Sequence, residues 1–498
     1  MENNLPKNWE NCKLGDILKL KNGYAFKSKD YKNDGIPVIR ISDIQQGFVT
    51  TRKSRCVDEF NTANSFIVEK GDVLVAMSGA TTGKYGIFNE DIKVYQNQRV
   101  GNLIPHAKSL TSNNFIYYLL GGLKKEIEDK AYGGAQPNIS SKLIEELDFK
   151  LPPLPEQERI VAMLDTLFGH LDGLKERLAG IPELLKQFRQ AVLTQAVTGK
   201  LTEEWRVGKE LGDIDLLIKK IGVDLNQDYE KKCLEAKKNG LRKPKDQRKN
   251  KRSDKSDVNL LKIPDSWSCM RAEEISYLIT DGVHFKPNYI EDGVRFLSVK
   301  NVRPFKINEE NCKYVSIDDH NQYIKRCNPE NGDLLYTKVG ATYGYASKVQ
   351  IDFEFSIYVS LALIKPSRIL NVNYLELLFN SPIVFNQARN RVSGSGVPDL
   401  HLIEIRDFKI PIPSLDEQAE IVKRVESLFA KADAIETNYQ TLKTKIDDLP
   451  QAILAKAFKG ELVEQLDTDG DAKDLLKEIR KLREAQETMK KKPKKRKK

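Results

Sequence analysis

Apolar residues follow two rhythms along this chain. Short runs rich in β-branched residues, IPVIRISDI (36–44) and DVLVAM (72–77), then RFLSV (295–299) and DLLYTKV (333–339), are separated by Gly, Asn and Asp turns and predict strands. A second rhythm takes over in two places. Ile160, Leu164, Leu167, Leu171, Leu174, Leu178, Ile181, Leu185 and Phe188 alternate steps of four and three. Ile421, Val425, Leu428, Ala432, Ile435, Tyr439, Leu442, Ile446 and Leu449 do the same. Each series is a heptad seam and predicts a long helix. Both helices open on proline-marked, acidic starts, LPPLPEQ and IPIPSLDEQ, which suit a helix N-terminus. Pro182 is expected to kink or interrupt the first helix; the second has Lys443 there and its own Pro450 later. Shorter helical stretches, NNFIYYLLGGL (113–123) and NYLELLFNS (373–381), precede each long one.

The two rhythms recur because the chain is written twice. LPPLPEQERIVAMLDTLF (151–168) returns as IPSLDEQAEIVKRVESLF (412–429), 261 residues later. The same offset places Gly71-Asp72 on Gly332-Asp333, Gly79-Ala80-Thr81 on Gly340-Ala341-Thr342, Gly83 on Gly344 and Pro137 on Pro398. LPKNW (5–9) answers IPDSW (263–267) at an offset of 258. Repeats of this kind define architecture before any other signal. The expected organisation is a β-rich module over 1–150, a helical region over 151–202 and a charged, partly disordered linker over 203–258. A second β-rich module over 259–411, a second helical region over 412–466 and a helical or disordered basic tail over 467–498 complete it. The fold class is α+β with a pseudo-two-fold internal repeat. The two seams are expected to pack against each other; the alternative is that each packs on its own module.

Charge refines this picture. Of the net +10, the segments 490–498 and 237–255 contribute +8 each, which leaves the rest of the chain acidic at −6. A nucleic-acid partner would need a local patch or help from another protein. The six cysteines are scattered without a C-x-x-C pair, so they read as packed free thiols and not as metal ligands or a disulfide framework. No apolar stretch approaches the roughly 20 residues of a membrane span, and MENNLPKNWENCK lacks a signal-peptide core. The expectation is a cytoplasmic protein with no membrane partner.

The motif that invites a catalytic reading is SGATTGKYG (78–86), a Gly-rich turn with a lysine after a strand. A phosphate-cradling loop needs G-x-x-x-x-G-K-[ST] and a following helix. Here Gly79 and Gly83 stand one residue too close, Tyr85 replaces the hydroxyl residue, and IFNEDIKVYQ follows as a strand. The second copy, VGATYGYAS, puts Tyr345 in place of the lysine. No methyltransferase amide-donor motif is present, since NPEN (328–331) reads as an ordinary turn. His106, His170 and the pairs Glu145-Glu146 and Asp447-Asp448 form no nucleophile or acid–base constellation. The chain reads as non-catalytic by itself, with no metal site and no bound cofactor.

Two dissimilar β-rich modules on paired helices describe a ruler. The seam from 160 to 188 spans about 42 Å at ~1.5 Å per residue, close to the ~34–36 Å that places two readers on one face of a duplex. GDVLVAMSGATTGKYG and GDLLYTKVGATYGYAS, the starts PLPEQERIV and SLDEQAEIV, and QAVLTQAVTGKLTEEWR between the halves resemble the specificity subunit of type I restriction-modification systems over nearly the whole chain. The resemblance implies two target recognition domains separated by two conserved helical regions packed as an antiparallel coiled coil. It implies that the chain reads an asymmetric bipartite site in double-stranded DNA, docks two modification (methyltransferase) subunits and also docks restriction subunits. S-adenosylmethionine, ATP and magnesium would belong to those partners. The C-terminal KKKPKKRKK departs from the family's pattern.

For DNA contact, Arg40, Thr81, Thr82, Lys84, Gln98, Arg99, Gln136 and Asn138 are the candidates in the first module. Lys300, Arg303, Lys338, Tyr343, Tyr345, Ser395 and His401 are those in the second. Gln and Asn pair bidentately with adenine and Arg or Lys with guanine, while phosphate contacts only position the protein; Lys84 is expected to touch phosphate. Two rivals stand beside this reading: a coiled-coil scaffold that binds only proteins, and a self-contained nuclease or methylase.

Overall fold

Each β-rich module is closed by pairing its first strand with its last. Glu10–Lys13 runs antiparallel to Asp148–Leu151, and Ser268–Arg271 runs antiparallel to Lys409–Ile412. Inside the first module, strands Leu18–Asn22, Val100–Pro105, Val73–Ala76, Tyr85–Phe88 and Gly47–Val49 lie side by side in that order. The second repeats the arrangement with Ser276–Asp281, Leu361–Pro366, Leu334–Thr337 and Ala346–Lys348. Val73, Leu74, Val75 and Ala76 are all buried, as are Leu334, Leu335 and Tyr336. These central strands are covered on both faces, which is why they read as continuous apolar runs without alternation.

The computed structural model describes residues 5–45, 47–59, 65–131, 137–249, 262–392 and 396–491. It divides into two compact units that do not follow the order of the chain: 1–179 with 440–498, and 180–439. The helical regions are shared out accordingly. Pro182 does interrupt the first, as expected, giving Leu154–Ala179 and then Ile181–Val197 with the proline in its first turn. The second is one helix, Leu415–Ala457, that runs through Pro450.

In the first unit, Ile160 and Leu164 pack with Leu454 and Ala457 in a cluster that includes Trp9 and Tyr118. In the second, Val192, Leu193, Ala196 and Val197 share a core with Ile421, Val422 and Val425, while Arg189 pairs with Asp433 at 2.7 Å and Glu436 at 2.8 Å. Arg424 donates to the Leu201 carbonyl, so here the two helices run antiparallel. The heptad seam is only half buried. Leu164, Leu171 and Leu185 are buried and Leu178 between them half-buried, and Val425, Ala432, Tyr439 and Ile446, spaced by sevens, are buried. Leu167 and Leu428 are half-buried, whereas Leu174, Phe188, Ile435, Leu442 and Leu449 are exposed. Burial along the seams is uneven: Ile160 and Ile421 near the helix starts are buried, whereas further along one heptad position faces the unit's core and the other faces solvent.

The strings that announced the repeat hold each unit together. Glu156 of PEQ accepts from the Trp9 indole at 2.8 Å, and Glu417 of DEQ accepts from Trp267 at the same distance. The glutamines beside them turn back on their own helix starts, Gln157 to Pro152 O and Gln418 to Pro413 O, each at 2.9 Å. Glu417 also takes Thr202 and Arg206, each at 2.6 Å. The buried Glu417 carboxylate is retained because each of these groups facing its oxygens is a donor.

The linker holds helices where none were expected, and the tail takes the helical one of its two expected forms. Within 203–258, residues form the helices Glu203–Arg206 and Ile214–Lys238. Leu217, Ile221 and Leu225 of the latter are buried in the core of the second unit. At an offset of 258, DIDLLIKKI (213–221) returns as DAKDLLKEI (471–479). The helix Ala472–Lys491 that it opens buries Ala472, Leu475, Leu476 and Ile479 in the core of the first unit. Asp213 and Asp471 each accept from the amide two residues on. High charge disguised the narrow apolar stripe of the connector helix, and the C-terminal helix carries a stripe of the same kind. Of the cysteines, Cys12 and Cys327 are buried; burial pushes the Cys327 thiol up to about 12, and no disulfide forms among the six. No group of His, Cys, Asp or Glu among the described residues has the makings of a metal site, and no described helix is long and apolar enough to cross a membrane.

Candidate nucleic-acid interface

The Gly-rich turns occupy the same place in both modules. Gly79 and Gly83 adopt φ of +81° and +84°, and Gly340 and Gly344 adopt +85° and +93°. This left-handed region favours glycine, which explains why both copies keep both positions. The turn amides are consumed internally: Thr82 N to Gly79 O, Gly83 N to Ala76 O, and Lys84 N to Thr81 O. No row of amides is left to cradle a phosphate. Instead Gly79 N binds Pro137 O and Gly340 N binds Pro398 O, each at 2.9 Å, so each turn clamps a second loop.

In the first module this clamp builds a cleft of about 620 Å³. Ser78 and Gly79 come from the turn, Gln98 and Arg99 from the loop before strand Val100–Pro105, and Asn138 from the clamped loop. Asn22 and Ser141, hydrogen-bonded to each other at 2.6 Å, close it. Gln98, Arg99 and Asn138 are exposed at its mouth. The Ser78 hydroxyl is buried with no hydrogen-bond partner among the described residues. The structure therefore brings three of the eight candidates of this module together. Thr82 is buried and donates to Gly79 O and Pro137 O, so it serves the turn and not a surface contact. The Thr81 hydroxyl is buried without a partner among the described residues. Arg40 lies against Asp43 and the Lys53 carbonyl. Lys84 is exposed outside the cleft, and Gln136 lies outside the described residues.

The equivalent place in the second module carries different chemistry. Lys338, buried, sits 3.6 Å from Asp281 and 3.7 Å from Asp399. Asp281 also takes His284 at 2.9 Å and Arg326 at 2.7 Å. Lys338 is thus an internal cation that fixes two carboxylates, not a free DNA-facing lysine. His401 is exposed and precedes the short helix Leu402–Arg406. Lys300 is exposed, and Arg303 folds back onto the Val299 and Val302 carbonyls. Tyr343 stacks on Phe385 with ring centres 5.5 Å apart. With Tyr345 it lines a separate cleft of about 930 Å³ shared with Arg189 and Phe429. Ser395 lies outside the described residues. Asn22, Ser141, Asp281, His284 and Arg326 escaped the sequence reading. Asn22 and Asp281 stand at strand ends and Ser141 follows the Pro137-Asn138 loop, while Arg326 follows a helix, and their convergence becomes visible only once the clamp is known.

The family model for the type I restriction modification DNA specificity domain matches residues 6–183 and again 299–444. The chain belongs to this family. It is 30% identical over 467 residues to the type I restriction enzyme EcoBI specificity subunit of Escherichia coli, covering 92% of this chain and 87% of that one. The EcoKI specificity subunit of Escherichia coli strain K12 is 26% identical over 478 residues, covering 93% and 90%. Two solved structures share the fold. A chain from the type I R-M system whose complex assembly and conformational transition were described superimposes with a TM-score of 0.59 at 18% identity, covering 92% of this chain and all of that one. The HsdS subunit from Thermoanaerobacter tengcongensis gives 0.54 at 16%, covering 92% and 98%. The chain is a type I DNA specificity subunit with two specificity modules of unlike surface.

Proposed function

We propose that this specificity subunit reads an asymmetric, two-part sequence in double-stranded DNA, one part per module, and performs no chemistry itself. One observation carries the reading: where the Gly-rich turn clamps its second loop, one module opens a cleft with Gln98, Arg99 and Asn138, and the other instead holds Lys338 between Asp281 and Asp399. Amide and guanidinium groups suit adenine and guanine edges, while the part-exposed Asp399 carboxylate suits an exocyclic amine such as that of cytosine. Two such surfaces recognise two unlike half-sites. Lys84 and Lys300, both exposed, fit phosphate contacts, and Tyr345 and His401 remain contact candidates. Exposed Leu174, Leu442 and Leu449 in one unit, and Leu184, Phe188 and Ile435 in the other, offer apolar faces to two modification subunits, which restriction subunits join. S-adenosylmethionine, ATP and magnesium are assigned to those partners, and the assembly to the cytoplasm. Sequencing of modified bases in cells expressing this chain with its cognate modification subunit tests the proposal. The expected result is a few fixed bases, a gap, then a few more. A continuous or absent motif overturns it, and absence of sequence-selective duplex binding by the complex would favour the scaffold reading.

A further inference from the structure

Along the second module runs a groove of about 660 Å³ that no specificity contact accounts for. The helix Ile214–Lys238 contributes Lys231 and Lys232. Lys325 and Arg326 follow the helix Ile317–Tyr323, and Lys365 and Arg368 come from the end of strand Leu361–Pro366 and just beyond it. Its floor is Tyr277 and Leu278 of strand Ser276–Asp281. Six cations therefore face three lining carboxylates, and each carboxylate is already engaged. Asp224 accepts from Tyr277 at 2.6 Å and Ser367 at 2.5 Å, Asp228 holds Lys232 at 2.7 Å, and Glu330 holds Lys365 at 2.9 Å. Lys231 and Lys325 are exposed and have no ion pair among the described residues. Arg326 and Arg368 use only Nη2 in their bonds to protein, which leaves the other guanidinium donors for a ligand.

Position decides which ligand. Arg326 lines the groove and binds Asp281, which also holds Lys338 beside the Gly-rich turn, so the groove adjoins the clamp of the second module. From Asp281 back to Tyr277 the strand covers about 13 Å at ~3.3 Å per residue, the axial rise of about four phosphates at ~3.4 Å each on one DNA strand.

We propose that this groove is a track for the DNA phosphodiester backbone flanking the half-site read by the second module, so that the connector helix is part of the DNA-binding surface. The inference rests on the DNA-reading role proposed above. Its test compares the assembled modification complex with one carrying Lys231→Ala, Lys232→Ala and Lys325→Ala, by duplex affinity across a salt series and by sequencing of modified bases. Three lost contacts should lower the salt-dependence slope by about 2–3, at roughly 0.9 per phosphate, and weaken binding to all duplexes alike while the modified sequence stays the same. An unchanged slope with normal wild-type binding overturns the track alone. So does an altered modified sequence, which would make these residues base readers, or loss of a partner subunit on sizing, which would assign the groove to protein. If the wild-type complex shows no sequence-selective binding, the DNA-reading role itself fails.

Discussion

Glu417 shows how one side chain ties a repeat together. It is fully buried and satisfies Trp267, Thr202 and Arg206 at once. Glu417→Ala strands an indole N–H, a hydroxyl and a guanidinium, and should lower unfolding free energy by about 3 kcal/mol in chemical denaturation; Glu417→Gln, which keeps one acceptor, should lose less. Asp469 offers a pH signature. Its two oxygens take Arg159 at 2.7 and 2.6 Å, and that hydrogen bond holds its carboxyl below the usual aspartate range. A depressed carboxylate stabilises the fold above its unfolded pKa, about 3.9, and the stabilisation is lost as pH falls through the folded value. Asp469→Asn should therefore cost roughly 1–2 kcal/mol at neutral pH. That difference from the parent should vanish in acid, as followed by denaturation at a series of pH values. At the cleft, Arg99→Ala should change the recognised base in one half-site, worth about 1–3 kcal/mol of discrimination. Lys84→Ala should weaken binding evenly and leave the methylated sequence intact.

Among the elements, the long helices were legible from their heptads, but the burial of each heptad position was not. Leu171 and Leu174 look alike in the sequence, yet Leu171 is 5% exposed and Leu174 44%. Leu171→Ala should cost about 2–5 kcal/mol of stability through the cavity it leaves. Leu174→Ala should cost under about 0.5 kcal/mol but reduce capture of the modification subunit in a co-purification assay. The Gly-rich turn was legible as a turn because its glycines recur at the same spacing. Its partner loop was not, because the hydrogen bonds to Pro137 and Pro398 join segments 58 residues apart in each copy. The connector helix was missed, and the C-terminal helix left as one of two alternatives, for a different reason. Their apolar stripes, Leu217, Ile221, Leu225 and Leu475, Leu476, Ile479, are short and diluted by lysine and glutamate.

For the whole molecule, the two modules should behave as independent readers. Replacing 262–412 with the matching segment of another family member should change one half of the methylated motif and leave the other half as it was. Sequencing of modified bases reports this directly; a change in both halves would show that reading is not modular. The sequence by itself determined the duplication, the α+β class, the helical regions and the family, because these rest on periodicity and on repeated strings that any folded form must obey. It also excluded a nucleotide loop, since spacing alone forbids the geometry. Only the tertiary structure decided which residues form a site. Gln98, Arg99 and Asn138 converge, Thr82 and Lys338 turn inward, and the chain divides as 1–179 with 440–498 against 180–439. Those outcomes depend on hydrogen bonds and packing between segments far apart in the chain, and no local pattern encodes them.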